Sequence, residues 1–544
     1  MQLKRITLIL LVFSHLLYVH VEAQTWQDTV TLIEKAFSRY TSNIPGCQLA
    51  ISRNGNLLFS KAWGMADMEH NISLTKESVT EAGSVSKQFT AACILLLEQE
   101  GKLSLDDDVR KYVPEVPDYG KTITLRHMMQ HTSGLKDWGS VAGIAGWPRS
   151  TKTYNNDDAV YIISKQKTLN HPPGEEYIYS NSNYNLFAVI VERVSGKSLA
   201  EYSKRKIFEP AGMTHTEWRN DFRKIVPGRA LAYAKERNVY ETDMPNEYVY
   251  GNGGLLTTVE DLVKWNDYYL NGKLGDPSLL ARQLTTNPLS DGSKGYYGAG
   301  LRIDSVRGWK SIAHTGATAS YRASLAYYPD ASLTIAWLSN SSEFDGQADV
   351  VGAVRNIFLS DKTKSAEKLT AAVYAVSEKD LQKYAGWYRN PKTGTGVKLQ
   401  VNDGKLTDGN GSSLQPIAEN QFNFRGGKVI MIPGNPRKIN LIGNGETIVF
   451  EEVAASSNDP EILQEYIGVF YSDETESRFT VFVKDGRLIL HRDPKYDQIL
   501  TASYKDAFFF PGSVIVFMRD KKGKVDRLQV NVGRARNVVF EKIK

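Results

Sequence analysis

Near its end the chain repeats itself, and this duplication narrows the possible folds more than any other feature. Leu381-Gln382-Lys383-Tyr384-Ala385-Gly386 recurs as Leu463-Gln464-Glu465-Tyr466-Ile467-Gly468. Val401-Asn402-Asp403-Gly404-Lys405-Leu406 returns as Val483-Lys484-Asp485-Gly486-Arg487-Leu488, and Ile448-Val449-Phe450-Glu451 returns as Val538-Val539-Phe540-Glu541. Both copies read as short alternating strands broken by Asp-Gly, Gly-Gly and Gly-Asn turns. Two copies of a small antiparallel barrel are therefore expected, each of about 80 residues and small enough to lean on a neighbour. A Lys-rich polar stretch precedes them as a linker. The expected layout is a leader at 1–23, a first domain at 24–360, a linker at 361–379 and β repeats at 380–456 and 457–544.

The region before the linker reads as α+β. Gln48 to Ser52 and Leu57 to Trp63 flank Asn54-Gly55, and Tyr321 to Tyr328 and Ser332 to Asn340 flank Pro329-Asp330-Ala331, so hairpins stand at both ends. Between them lie helical stretches stopped by Gly101, Gly196 and Asn271-Gly272, and another is read over Trp26 to Tyr40. One antiparallel sheet with helices packed on its faces follows. Lys4 and Arg5, an apolar run from Ile6, and Val21-Glu22-Ala23 read as a secretory signal, which implies a periplasmic or extracellular protein with no membrane span after cleavage. Cys47 and Cys93 are too few for a disulfide framework and sit in apolar surroundings, so both are expected buried and free. A net charge of +5 without a basic stripe gives no case for nucleic acid; the Arg519 to Lys524 cluster reads as a solvated turn.

Ser84-Val85-Ser86-Lys87 opens an apolar helix, and residues three apart share a helix face, so the Ser84 hydroxyl and the Lys87 amine can meet. A serine needs a nearby base to act as a nucleophile, and a lysine in a partly dry pocket can serve. Ser164/Lys167, Ser203/Lys206 and Ser365/Lys368 share the spacing but not the apolar helix behind it. Tyr179-Ser180-Asn181 follows a Pro172-Pro173-Gly174 turn and precedes a helix; beside a lysine ammonium, a phenol there would have a lowered pKa and could shuttle a proton. Tyr154/Asn156, Tyr250/Asn252, Tyr269/Asn271 and Tyr388/Asn390 are rival pairs. His127 and His131 have helical spacing but no HExxH glutamate, so a structural role outweighs zinc; no metal and no cofactor is implied.

Ser84 to Ala92, Gly101 to Asp107, Ile123 to Leu135 and Gly253 to Leu262 together resemble the serine β-lactamase and penicillin-binding-protein superfamily, in its class C-like branch. The resemblance spans most of residues 35 to 345. It implies a β-lactamase/transpeptidase-like domain with Ser84 as nucleophile, Lys87 and Tyr179 sharing the general-base role, and Asn181 on the substrate amide. His314-Thr315-Gly316 takes the place of the family's KTG or HxG segment, and the Ser84 and Ala317 N–H groups resemble its oxyanion donors. Histidine at 314 looks more like the D-aminopeptidases, D-stereospecific peptidases and esterases of the S12-like group than the dedicated class C β-lactamases. The D-aminopeptidases are similar also in carrying two small lipocalin-like barrels. Ser320 departs from the glycine common before the aromatic, here Tyr321. The resemblance thus implies an exported serine hydrolase acting through an acyl-enzyme, a D-stereospecific peptidase or aminopeptidase on D-amino-acid-containing peptides, including peptidoglycan-derived ones, or an esterase on small esters. A class C-like β-lactamase, a DD-carboxypeptidase and a non-hydrolytic cell-wall-fragment sensor remain as alternatives.

Overall fold

Asn54 and Gly55 both take positive φ, 54° and 75°, and the chain folds back there. Strand β1 (Cys47–Arg53) is buried almost throughout, whereas β2 (Asn56–Trp63) leaves its first residues in solvent as an edge strand. The structure is a computed structural model describing residues 25–543 apart from 150, 222, 346–348, 364–373, 444–445, 458, 494–495 and 511. The expected leader and the middle of the expected linker lie outside the described residues.

Four strands from far along the chain complete the central sheet: β3 (Arg302–Val306), β4 (Trp309–Thr318), β5 (Tyr321–Tyr328) and β6 (Leu333–Ser339). Their order is β3-β4-β5-β6-β1-β2, antiparallel throughout. Alternation along β1 sends Leu49 and Ile51 to one face and Ala50 to the other. The first face packs on α1 (Trp26–Ala36), which ends before the expected Tyr40, and on a late helix, Val350–Phe358. The second face carries α2 (Lys87–Gln99), whose residues Lys87 to Leu97 are all buried. Around it stand α3 (Trp138–Ile144), α4 (Asn156–Ser164), α5 (Asn181–Ser195) and α6 (Val259–Leu270). Cys47 and Cys93 are buried and free, as expected.

One detail of this sheet positions the site. Pairing between β3 and β4 ends at Arg302 opposite Ala313, so from His314 to Thr318 β4 has a strand partner only on its β5 side among the described residues. Its other edge is open there.

The C-terminal repeats form an eight-stranded sheet, Gly386 to Val453, and a nine-stranded one, Gly468 to Lys542. The extra strand of the second copy, Tyr496–Ile499, has no counterpart in the first. Each sheet curls around its own apolar core and nearly closes: Thr407 bridges Ser413 in the first, and only Leu500 separates the two end strands of the second. The second core is not self-contained. Val141 and Ile144 of α3 are part of it, and beside them Lys136 and Glu474 form an ion pair at 2.6 Å whose side chains are 0% and 3% exposed.

Candidate active site

Gly83 lies where strand and helix meet. It takes φ +50°, and a Cβ there would come 2.6 Å from the Ala317 nitrogen, so neither its conformation nor its surroundings admit a side chain. The turn Gly83–Ser86 leads directly into α2; Ser86 Oγ donates to the Gly83 carbonyl at 2.5 Å and accepts from Leu255 N at 3.1 Å, tying the turn to the strand Leu255–Thr257. Ser84 is the one partly exposed residue in a stretch otherwise buried from Val79 to Leu97. Its hydroxyl is thus rigidly held and still reachable.

Lys87 Nζ lies 3.1 Å from Ser84 Oγ, 2.9 Å from Asn181 Oδ1 and 2.5 Å from the Asn252 carbonyl. Burial pushes its pKa well below the ordinary 10.5, and the charge of Arg534 adds to the effect, while Asp137 opposes it. Three neighbours would suit an ammonium, as would the Tyr179 ring centroid at 4.8 Å. The inventory of atoms also fits the free amine. Asn181 Oδ1 and the Asn252 carbonyl can only accept, so they take the two N–H bonds of a neutral amine; the lone pair is left for the Ser84 O–H. No carboxylate pairs with Nζ among the described residues, so no ion pair offsets the downward push of burial on its pKa.

Tyr179 departs from the sequence expectation. The phenol is buried, and burial raises its pKa far above 10; no ammonium lowers it. The Ser84 hydroxyl is near enough to pull that pKa down somewhat, although the Tyr179 oxygen has no aligned hydrogen-bond partner. The protein therefore sets a phenol of raised pKa beside an amine of lowered pKa.

Asn181 begins α5. Its backbone N donates to Asp137 Oδ2 at 2.7 Å, and Asp137 Oδ1 accepts from Ser140 N at 2.9 Å, so one carboxylate caps two helices. Beyond the substrate role expected of it, Asn181 holds Lys87, leaving its Nδ2 without a hydrogen bond among the described residues.

His314, expected by resemblance to line the substrate cleft, is held within the protein. It is 4% exposed, with Nδ1 2.6 Å from the Thr315 carbonyl and Nε2 2.9 Å from the Tyr297 hydroxyl. Nδ1–H therefore donates to the carbonyl and Nε2 accepts from the phenol, which commits both nitrogens within the protein. Burial lowers its pKa to about 3. The ring is a neutral prop under β4 and not a free donor facing the substrate. Thr315 and Ala317 instead face outward, and Gly316 lies against the Ser84 turn, where a Cβ would come 2.0 Å from the Ala82 carbonyl and 3.0 Å from Ser84 N. The Ser84 and Ala317 amides are thereby brought to one place. At Ser320 the loop is held by a bond from its hydroxyl to Asp243 Oδ2 at 2.7 Å, and the preceding Ala319 takes φ +45°.

Four contributors escaped the sequence reading. Asn252, set aside as a rival Tyr-Asn pair, supplies a main-chain carbonyl to Lys87; its signal was the glycine run Gly251, Gly253 and Gly254. Asp137 carried none. His131 takes φ +59°, is fully buried, and packs tilted against Tyr179 with ring centroids 4.3 Å apart. Arg534, from the second C-terminal sheet, lies over Tyr179 at 4.7 Å from the ring centroid. Elsewhere a cavity of about 950 Å³ opens between Thr393 of the first repeat and Phe510 and Val532 of the second, with none of the Ser84 site residues in its lining.

The sequence profile described as Beta-lactamase matches residues 31–355. The chain is 25% identical over 535 residues to a D-aminopeptidase of Brucella anthropi, covering 92% of this chain and 95% of that protein. It is 30% identical over 329 residues to penicillin-binding protein 4* of Bacillus subtilis, covering 58% of this chain and 71% of that protein. Among solved structures, the octameric penicillin-binding protein homologue from Pyrococcus abyssi superposes with a TM-score of 0.54 at 22% identity, covering 87% of this chain and 99% of that one, a likeness of fold.

Proposed function

Because the chain belongs to the beta-lactamase family and is a serine hydrolase, we propose that Ser84 is its nucleophile and that it cleaves amide bonds in peptides containing D-amino acids, outside the cytoplasm. The observation that carries this reading is the Lys87 amine, buried, unpaired with any carboxylate among the described residues and 3.1 Å from Ser84 Oγ. Ser84 Oγ attacks the carbonyl carbon and its proton passes to the lone pair of Lys87. The carbonyl oxygen, now anionic, is held by the Ser84 and Ala317 N–H groups. Tyr179, protonated from the start, gives its proton to the leaving nitrogen and recovers one from Lys87; the C–N bond breaks and the acyl group stays on Ser84. Water then attacks the ester by the reverse proton path. Substrate lies along the open edge of β4 from His314 to Thr318, with Asn181 Nδ2 turned to its amide.

The D-peptide reading is supported by a named D-aminopeptidase that matches this chain through its C-terminal region as well. Export is supported by the leader-like first 23 residues, and among the described residues no helix is long and apolar enough to cross a membrane. In this reading the hydrolase unit runs over 24–360, with β units at 380–456 and 457–544.

The test is a panel of D-alanyl and L-alanyl p-nitroanilides, an aryl acetate and a chromogenic cephalosporin, given to the protein and to Ser84→Ala. The reading expects the D-anilide to exceed the L-anilide by about tenfold or more in kcat/KM, and every activity to vanish in the variant. Equal or L-preferring turnover would overturn the stereochemical part; activity surviving in Ser84→Ala would overturn the nucleophile.

A further inference from the structure

A hairpin of the second C-terminal sheet reaches the Ser84 site. It joins the strands Val525–Val532 and Ala535–Lys542, and its tip is Gly533-Arg534. Four polar links clamp it onto the hydrolase unit. The Arg534 carbonyl accepts from Asp137 N at 2.9 Å and from Asn170 Nδ2 at 3.1 Å. Arg536 N donates to Asn170 Oδ1 at 2.7 Å, and its guanidinium, 11% exposed, donates to Glu176 Oε2 at 3.0 Å. All these links run through the backbone or through Arg536. The Arg534 guanidinium lies over the face of the Tyr179 ring, 4.7 Å from its centroid, and has no hydrogen bond or ion pair among the described residues.

The charges around it make this arrangement pointed. Burial lowers the pKa of Lys87 and of His314, which disfavours the charged form of each. Asp137 spends both oxygens on helix N-termini, and Arg149 is bound by Glu247. Two cations near the site have no hydrogen-bond or ion-pair partner among the described residues: Arg534, and Arg302 at the start of β3, which is exposed. Five guanidinium donors thus stand unused beside the phenol that protonates the leaving group, with no local carboxylate to occupy them.

We propose that Arg534 is a specificity-determining residue of the hydrolase, its planar fork binding a carboxylate on the leaving-group side of the substrate, so that the second C-terminal sheet takes part in substrate recognition. This rests on the Ser84 reading and deepens it: the favoured substrates are D-peptides whose departing residue carries a free carboxylate. Tyr179 fixes the side, because a cation stacked on the proton donor of the leaving group lies next to that group.

The test compares an N-acyl-D-alanyl-D-alanine with its C-terminal amide, in the full chain and in Arg534→Met, Arg534→Lys and Arg302→Met. The protein should prefer the carboxylate substrate. Arg534→Met should lower kcat/KM for that substrate at least about tenfold more than for the amide, with Arg534→Lys between, since an ammonium keeps the charge but loses the fork. It should also move the acid limb of the pH profile upward, because Lys87 loses a cationic neighbour. A carboxylate preference that survives Arg534→Met, or that disappears only in Arg302→Met, overturns the assignment. The same ratio is read on phenyl and 3-carboxyphenyl acetates. If these show the Arg534-dependent preference while neither peptide is cleaved, the peptide reading fails and Arg534 stands; if the esters are cleaved without it, Arg534 fails alone. Thermal melting unchanged in Arg534→Met shows that the hairpin remains docked, as its backbone links require.

Discussion

Tyr179 and Lys87 divide one task between two protonation states, each imposed by burial. A phenol kept protonated can serve a leaving nitrogen that needs a proton, but a good leaving group needs none. Tyr179→Phe should therefore lower kcat for an anilide by about 10²- to 10⁴-fold while an activated aryl ester suffers much less; equal losses on both would remove the phenol from the leaving-group step. His314 makes a stability prediction of definite sign. Its folded pKa of about 3 lies below the ordinary 6.5, so below 6.5 the unfolded chain takes a proton that the folded one refuses. The stabilisation is full above pH 6.5 and is lost as pH falls toward 3. The melting temperature of His314→Asn, which cannot take that proton, should fall less steeply than that of the unaltered protein across this window. Ser84, Lys87 and Tyr179 could be singled out from spacing and flanking pattern, and His314 through the family resemblance. Their protonation could not, because it depends on burial by residues far apart in the chain, such as Asn252 and Tyr297.

At the scale of elements, the site is a meeting of a turn with a strand edge. The turn Gly83–Ser86 is pressed against β4 so closely that neither Gly83 nor Gly316 has room for a methyl group. Gly316→Ala should force β4 away from Ser84 N and spread the two oxyanion donors, lowering kcat by about 10²-fold or more with modest loss of folding; a variant of full activity would mean that the Ala317 amide takes no part. Helix α2 was readable as an apolar helix stopped by Gly101, and the hairpins at Asn54-Gly55 and Pro329 were readable from their turn residues. The early end of β3 was not. Strand pairing that stops at Ala313 leaves no trace in the residues from His314 to Thr318 themselves, yet this is what opens the edge.

For the whole molecule, the duplicated β region is partly a structural member of the hydrolase. Val141 and Ile144 are buried in the second C-terminal core, and Lys136, next to the Asp137 that caps α5, is neutralised by Glu474 with both side chains out of water. Burial pushes the Lys136 pKa down even with that partner. Glu474→Leu would strand a buried cation and should cost about 3–5 kcal/mol, read as a lower midpoint in urea; a change below about 1 kcal/mol would mean that the interface tolerates the loss. The duplication itself could be read directly from sequence. Its docking could not, since Lys136 and Glu474 are 338 positions apart and nothing local pairs them. All of this packing serves to exclude water and carboxylates from one amine. The pH dependence of fluorophosphonate acylation, with the adduct located by peptide mass spectrometry, tests that most directly. The account predicts modification of Ser84, at a rate that rises with pH through an ionisation well below 10.5 and that loses this dependence in Lys87→Met. An adduct on another residue, or an unchanged profile without Lys87, would contradict it.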